Sequence, residues 1–345
     1  MGAEPAETSR TSRKTAHHRI SHIVHATAPS LRPHYFMNIP PPTSGDDPSA
    51  SSVSASSGWS DEAIEHARSC AIMMRKRLHD GGAMGIRRSI RIRAERVSGD
   101  GAGPRGGGHR SDAKVVHFQR HGQGYHNLMA EVWRESGLDF DIDDADAARN
   151  PFVREEIVDA PLTLKGRAES EARRPQAAAL GPELVVVSPL HRAIQTARLS
   201  FADHMGRDDV PWIAHEGCRE ELGWLVCNKR LPLSQTRREF PGIDFSLVVS
   251  GEEDRLWNSK AREPPVAKSE RIYDFLVNFI RHRPEREIAV VCHSAVLFNM
   301  ANAVLDCGGD EYLTAWWKTS EIKSMRIWFE DVGEEEVDTD EKKTN

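Results

Sequence analysis

Three short apolar runs constrain most strongly what this chain can fold into: "KVVHF" at 114–118, "ELVVVS" at 183–188 and "EIAVVCHS" at 287–294. Their hydrophobic residues are continuous rather than alternating, and each run is followed by a segment with helical spacing. "NLMAEVWRESG" follows the first after a loop and closes at Gly137. "PLHRAIQTARLSFADHMG" follows the second, with Ser188 as the expected N-cap, Pro189 as first helical residue, Leu190, Ile194, Ala197 and Phe201 on one side, and Gly206 as the stop. "AVLFNMANAVL" follows the third; "ERIYDFLVNFIRHR" precedes it, and "SMRIWFED" reads as a last strand. Strands apolar along their whole length need both faces covered. The pattern therefore predicts an α/β fold, a three-layer α/β/α sandwich around a mostly parallel sheet.

In such sheets ligands bind beyond the carboxyl ends of the strands, and the unusual polar residues lie at those ends. Arg120 and His121 follow the first run, Arg192 lies early in the helix after the second, and His293 follows the third. The histidines are 172 residues apart, so only the sheet can unite them. Two guanidiniums, two imidazoles and the nearby helix N-termini describe a phosphate pocket, since the arginine fork matches phosphate oxygens. A neutral histidine in that pocket is also a competent nucleophile toward phosphorus. Transfer asks mainly for in-line placement and cations around the equatorial oxygens, which Arg120, Arg192 and His293 would supply. The leaving oxygen needs a proton, and "EGCREELGW" offers Glu220, with Glu221 as the alternative.

These segments resemble the histidine phosphatase superfamily, the phosphoglycerate-mutase-like fold. "RHG" at 120–122 looks like its nucleophile motif, and Asn127 matches an asparagine that members place after it to contact phosphate. "DAPLTLKGRAESEA" from Asp159 is similar to the family's Leu-Thr-x-x-Gly segment. "SPLHRAIQTA" matches its second arginine at Arg192, and "VVCHS" its second histidine at His293. "RHGQGYHN", "CREELG", "FPGIDFS" and "LW" are similar to a plant and fungal branch. Two departures stand out: Ala295 where a glycine often follows, and Glu220 three residues before Gly223 where the mutases have four. The resemblance implies a phosphomonoester hydrolase working through a phosphohistidine at His121, without metal or organic cofactor. Arg120, Asn127, Arg192 and His293 would hold the phosphoryl group, and Glu220 would serve as acid and then base. His121 should then have its other N–H held on a carbonyl. Two alternatives are a phosphoglycerate-mutase-type phosphotransferase, whose tract after the glutamate "WLVCNKRLP" replaces here, and a non-catalytic phosphate-binding regulator.

His117, His126 and His191 have no spacing that suggests a metal site, and read as ordinary flanking side chains. Residues 227–246 read as an insertion that caps the crevice or, alternatively, as a surface excursion.

Charge divides the chain. Residues 1–113 hold 16 Lys and Arg against 11 Asp and Glu, whereas the remainder holds 30 against 41. An acidic catalytic region is a poor match for nucleic acid, a local basic pocket aside; the resemblance implies a small-molecule or peptide phosphate ester as the partner, and the sequence does not disclose the oligomeric state. No apolar run is long enough to cross a membrane. Five scattered cysteines predict a reducing compartment, hence the cytoplasm, with organelle targeting by the Arg- and Ser-rich N-terminal arm as the alternative. Low-complexity stretches at 40–58 and 99–112 predict that residues 1–112 are a largely disordered extension. Within it, 60–78 can form a helix capped by Ser60, and "GIRRSIRIRAERV" adds a basic patch. The catalytic domain is expected over 113–332, followed by a charged tail at 333–345.

Overall fold

The computed structural model describes residues 61–97 and 113–332. Ser60, both low-complexity stretches and the charged tail lie outside the described residues. Seven strands form one sheet: β1 (Ile90–Arg96), β2 (Lys114–Arg120), β3 (Leu184–Val187), β4 (Trp212–Ala214), β5 (Glu287–Cys292), β6 (Leu305–Asp306) and β7 (Ile322–Asp331), in the order β4-β3-β5-β2-β7-β1-β6. Neighbours β4 and β3, β3 and β5, β5 and β2, and β1 and β6 run parallel. Only β7 runs against its neighbours, β2 and β1.

The continuous apolar runs are continuous because each strand feeds two cores. On β3, Leu184 and Val186 enter one core while Val185 and Val187 enter the other. Helices Pro265–Asp274 and Ser294–Asn299, extended by the π-helical turns Phe275–Ile280 and Met300–Val304, cover the first core. Helices Arg174–Ala178 and His191–Ser200 cover the second. This is the expected three-layer arrangement.

The folded unit starts before residue 113, where the catalytic domain was expected to begin: the helix expected at 60–78 is present as Asp61–Asp80, and a strand follows it. The stretch taken for a basic patch contains β1, which pairs with β7 along its whole length. Ile92 and Ala94 alternate into the core, and Arg93 between them bonds Asp306 at 2.6 Å and Glu330 at 3.1 Å. Period-two alternation was the signal, masked by the run of arginines. Helix Asp61–Asp80 buries Met74 and Leu78 in a cluster with Phe298, against which Ala295 and Trp316 pack.

A second correction concerns Ser188. Helix His191–Ser200 begins two residues later than expected, with Leu190 at the cap position and no side-chain cap bond. The Ser188 hydroxyl is engaged elsewhere.

Candidate active site

Sheet register builds the site. Arg120 pairs with Cys292 and Val187 with Val291. The residues after these strand ends, His121, His293 and Ser188, therefore emerge side by side, and the His121 and His293 rings lie edge to face with centroids 5.1 Å apart. Gly122 permits the turn: a Cβ there would sit 2.3 Å from the Gly166 carbonyl oxygen.

His121 is 1% exposed, and its Nδ1 donates to the Gly122 carbonyl at 2.6 Å. A carbonyl only accepts, so the proton is on Nδ1 and Nε2 keeps its lone pair. Burial, then Arg192 and Arg120, hold its pKa well below 6.5. His293 is fully buried, with Nε2 2.7 Å from Ser188 Oγ; burial, then Arg192, also keep it neutral.

Arg192 is fully buried, and donates to the Cys227 carbonyl at 2.7 Å and to Asn228 Oδ1 at 2.9 Å. Residues of the 227–246 segment thus hold this guanidinium in place. Arg120 donates to the Trp317 carbonyl at 2.7 Å and lies 5.9 Å from the Trp316 ring centre, a cation–π distance. Asn127 Oδ1 accepts from the Gly124 N–H at 3.0 Å, so its amide N–H groups are what it can offer a ligand.

Glu220 is 9% exposed, and its carboxylate accepts from the Glu221 N–H at 2.9 Å and from the Ala295 N–H, directly behind His293, at 3.3 Å. The unexpected alanine thus contributes through its backbone. Arg271 braces this loop by donating to the carbonyls of Gly217, Arg219 and Glu220. Glu221 is different: it lies among Lys268 at 2.7 Å, Arg262 at 2.5 Å and Arg77 of the N-terminal helix at 3.3 Å. Burial would raise its pKa, but these cations outweigh burial and bring it to about 2. A permanent carboxylate cannot act as a general acid near neutrality, so Glu221 is unsuited to that task.

Two contributors, Asp159 and Ser188, escaped the sequence reading, whereas His126, expected as a side chain flanking the pocket, places its buried ring 5.4 Å from that of His121. Burial, then Arg192, keep it neutral. Asp159 adopts φ 45° and accepts from the His191 N–H at 2.8 Å, His191 Nδ1 at 2.7 Å and the Leu231 N–H at 3.0 Å. It ties the start of the Arg192 helix to the segment that holds Arg192. Ser188 escaped because its position suits a cap equally well.

Four buried nitrogens of this cluster have no hydrogen-bond partner in the protein: Arg120 Nε, His126 Nδ1, Arg192 Nε and His293 Nδ1. Of these, the two arginine Nε atoms are donors whatever the tautomers of the rings, and a bound anion is one partner that would satisfy them. His117 is engaged by Glu287 and Ser324, and His191 by Asp159 and Glu239. Among the described residues no group of three or more His, Cys, Asp or Glu is placed to hold a metal.

The family model described as "Histidine phosphatase superfamily (branch 1)" matches residues 152–328, a span that includes Arg192, Glu220 and His293 and begins after the Arg120-His121-Gly122 turn. The Arabidopsis thaliana "Phosphoglycerate mutase-like protein 1" is 30% identical over 245 residues, covering 62% of this chain and 81% of that one. A Schizosaccharomyces pombe protein named a probable phosphatase is 25% identical, over 52% of this chain and 74% of its own. A solved mycobacterial glucosyl-3-phosphoglycerate phosphatase, 18% identical, aligns over 63% of this chain and 98% of its own with a TM-score of 0.38, too distant to bear on the chemistry. By its family match and its similarity to the plant protein, this chain belongs to branch 1 of the histidine phosphatase superfamily.

Proposed function

We propose that the chain is a phosphomonoester hydrolase acting through a phosphohistidine on a small-molecule or peptide phosphate ester. The observation that carries this reading is the bond from His121 Nδ1 to the Gly122 carbonyl at 2.6 Å, which leaves Nε2 as a lone-pair donor beside Arg120, Arg192 and His293. In the first step Nε2 attacks phosphorus, the ester P–O bond breaks, and the Glu220 carboxylic acid protonates the departing oxygen. In the second, the Glu220 carboxylate takes a proton from water as the water oxygen attacks phosphorus. The N–P bond breaks, orthophosphate leaves and His121 is restored. Arg120, Arg192, His293 and the Asn127 amide hold the phosphoryl oxygens throughout.

Relatives carry both mutase-like and phosphatase names. Hydrolysis is favoured over mutase chemistry because residues 224–232 replace the mutase tract and hold Arg192 through Cys227 and Asn228. The five cysteines are free thiols, and no helix among the described residues is long and apolar enough to cross a membrane. The test is hydrolysis of p-nitrophenyl phosphate by the native chain and by His121→Ala, with trapping of an acid-labile, alkali-stable phosphoenzyme. The native chain is expected to turn over and trap label, and the variant to do neither. Phosphate binding without turnover in the native chain would overturn the reading in favour of a regulator.

A further inference from the structure

The two histidines differ in the company each keeps. His121 Nδ1 faces a carbonyl oxygen, which can only accept. His293 Nε2 faces the Ser188 hydroxyl at 2.7 Å, and a hydroxyl can donate or accept. Both Ser188 and His293 are fully buried. Ser188 is also fixed by the sheet, its N–H donating to the Val291 carbonyl at 3.0 Å, and its side chain does not cap the helix that follows. The other ring nitrogen of His293, Nδ1, is buried with no protein partner, in the cluster that contains the unpaired Nε atoms of Arg120 and Arg192.

A neutral imidazole has one N–H to place. If Ser188 accepted from Nε2–H, Nδ1 would turn a lone pair toward an anion. If Ser188 donates to Nε2, Nδ1 presents an N–H instead. We propose that Ser188 is a positioning residue that donates to His293 Nε2 and so fixes His293 as the Nδ1–H tautomer, with that N–H directed to a phosphoryl oxygen. The pair is thereby made chemically opposite: the carbonyl beside His121 prepares a nucleophile, and the hydroxyl beside His293 prepares a hydrogen-bond donor. What the N–H meets rests on the phosphatase reading; the tautomer does not.

The assignment is tested on the full chain labelled with 15N-histidine, with inorganic phosphate as the probe and His293→Asn to identify the His293 signals. The expected result is a protonated Nδ1 and an unprotonated, hydrogen-bonded Nε2. A proton on Nε2, alone or together with one on Nδ1, overturns the proposal. In turnover of p-nitrophenyl phosphate, Ser188→Ala is expected to lower kcat by about 10- to 100-fold with little change in KM, and Ser188→Thr, which keeps the hydroxyl, to restore most of it. Native kcat in Ser188→Ala also overturns it. Should the alanine variant fail to fold, the native spectrum and the threonine variant still decide. A native chain that hydrolyses no ester yet shows the Nδ1–H signal ends the phosphatase reading and keeps the tautomer assignment; an active chain with the proton on Nε2 does the reverse.

Discussion

Glu220 and Glu221 are consecutive in the chain, yet their carboxylates have different partners: Glu220 accepts from two backbone N–H groups, whereas Glu221 meets Lys268, Arg262 and Arg77. Glu220→Gln is expected to lower kcat for alkyl phosphates by about 10²–10⁴-fold. The loss with p-nitrophenyl phosphate should be smaller, because nitrophenolate leaves without a proton. Glu221→Gln removes the charge that balances a buried ammonium and should instead cost about 3–5 kcal/mol of stability, read by denaturant unfolding. Equal kinetic losses in the two variants would contradict the division of roles.

Asp159 and His191 predict an alkaline loss of stability. Burial opposes the His191 charge, but Asp159 at 2.7 Å and Glu239 at 3.1 Å outweigh it and lift the pKa from 6.5 to about 10. A raised folded-state pKa means the contribution is complete below 6.5 and is lost as pH rises toward 10. Thermal unfolding of the native chain should show that decline, and His191→Gln, less stable at neutral pH, should show a flatter profile across the same window.

His121, the proposed nucleophile, gives the opposite pH signature. Because burial, Arg192 and Arg120 depress the His121 pKa, Nε2 stays unprotonated until pH falls well below 6.5. The acid limb of kcat/KM, corrected for ionisation of the substrate phosphate, should therefore lie below that value. A limb at or above 6.5 would show that His121 is not held as the structure indicates.

Strand β1 makes the N-terminal region part of the domain. Ile92 is 1% exposed and lies between β7 and β6, so Ile92→Ala should destabilise the protein by about 2–5 kcal/mol. A chain beginning at residue 113 would lose β1 and bare Ile327 and Phe329 of β7. It should unfold at a lower denaturant midpoint than the full chain.

Much of this molecule was legible because the relevant signals are local. Continuous apolar runs identify strands buried on both faces, helical spacing identifies what covers them, and an arginine, histidine and glycine at a strand end identify a site. Strand β1 was misread because its alternation was overlaid by charge, and charge suggested solvent; Arg93 is in fact half-shielded and bonded to Asp306 and Glu330. Ser188 was misread because a serine before a helix is locally a cap, while its actual partner lies 105 residues away.

From sequence alone follow the α/β architecture, the strand ends that carry the candidate site and the residue types available there, since periodicity and side-chain chemistry are properties of neighbours. Tertiary structure decided which nitrogen of His121 bears the proton, which of two adjacent glutamates is ringed by Lys268, Arg262 and Arg77, and that the sheet includes a strand ahead of residue 113. Protonation and burial depend on partners brought together across the sheet, and no local pattern records which carbonyl, hydroxyl or cation a side chain will meet.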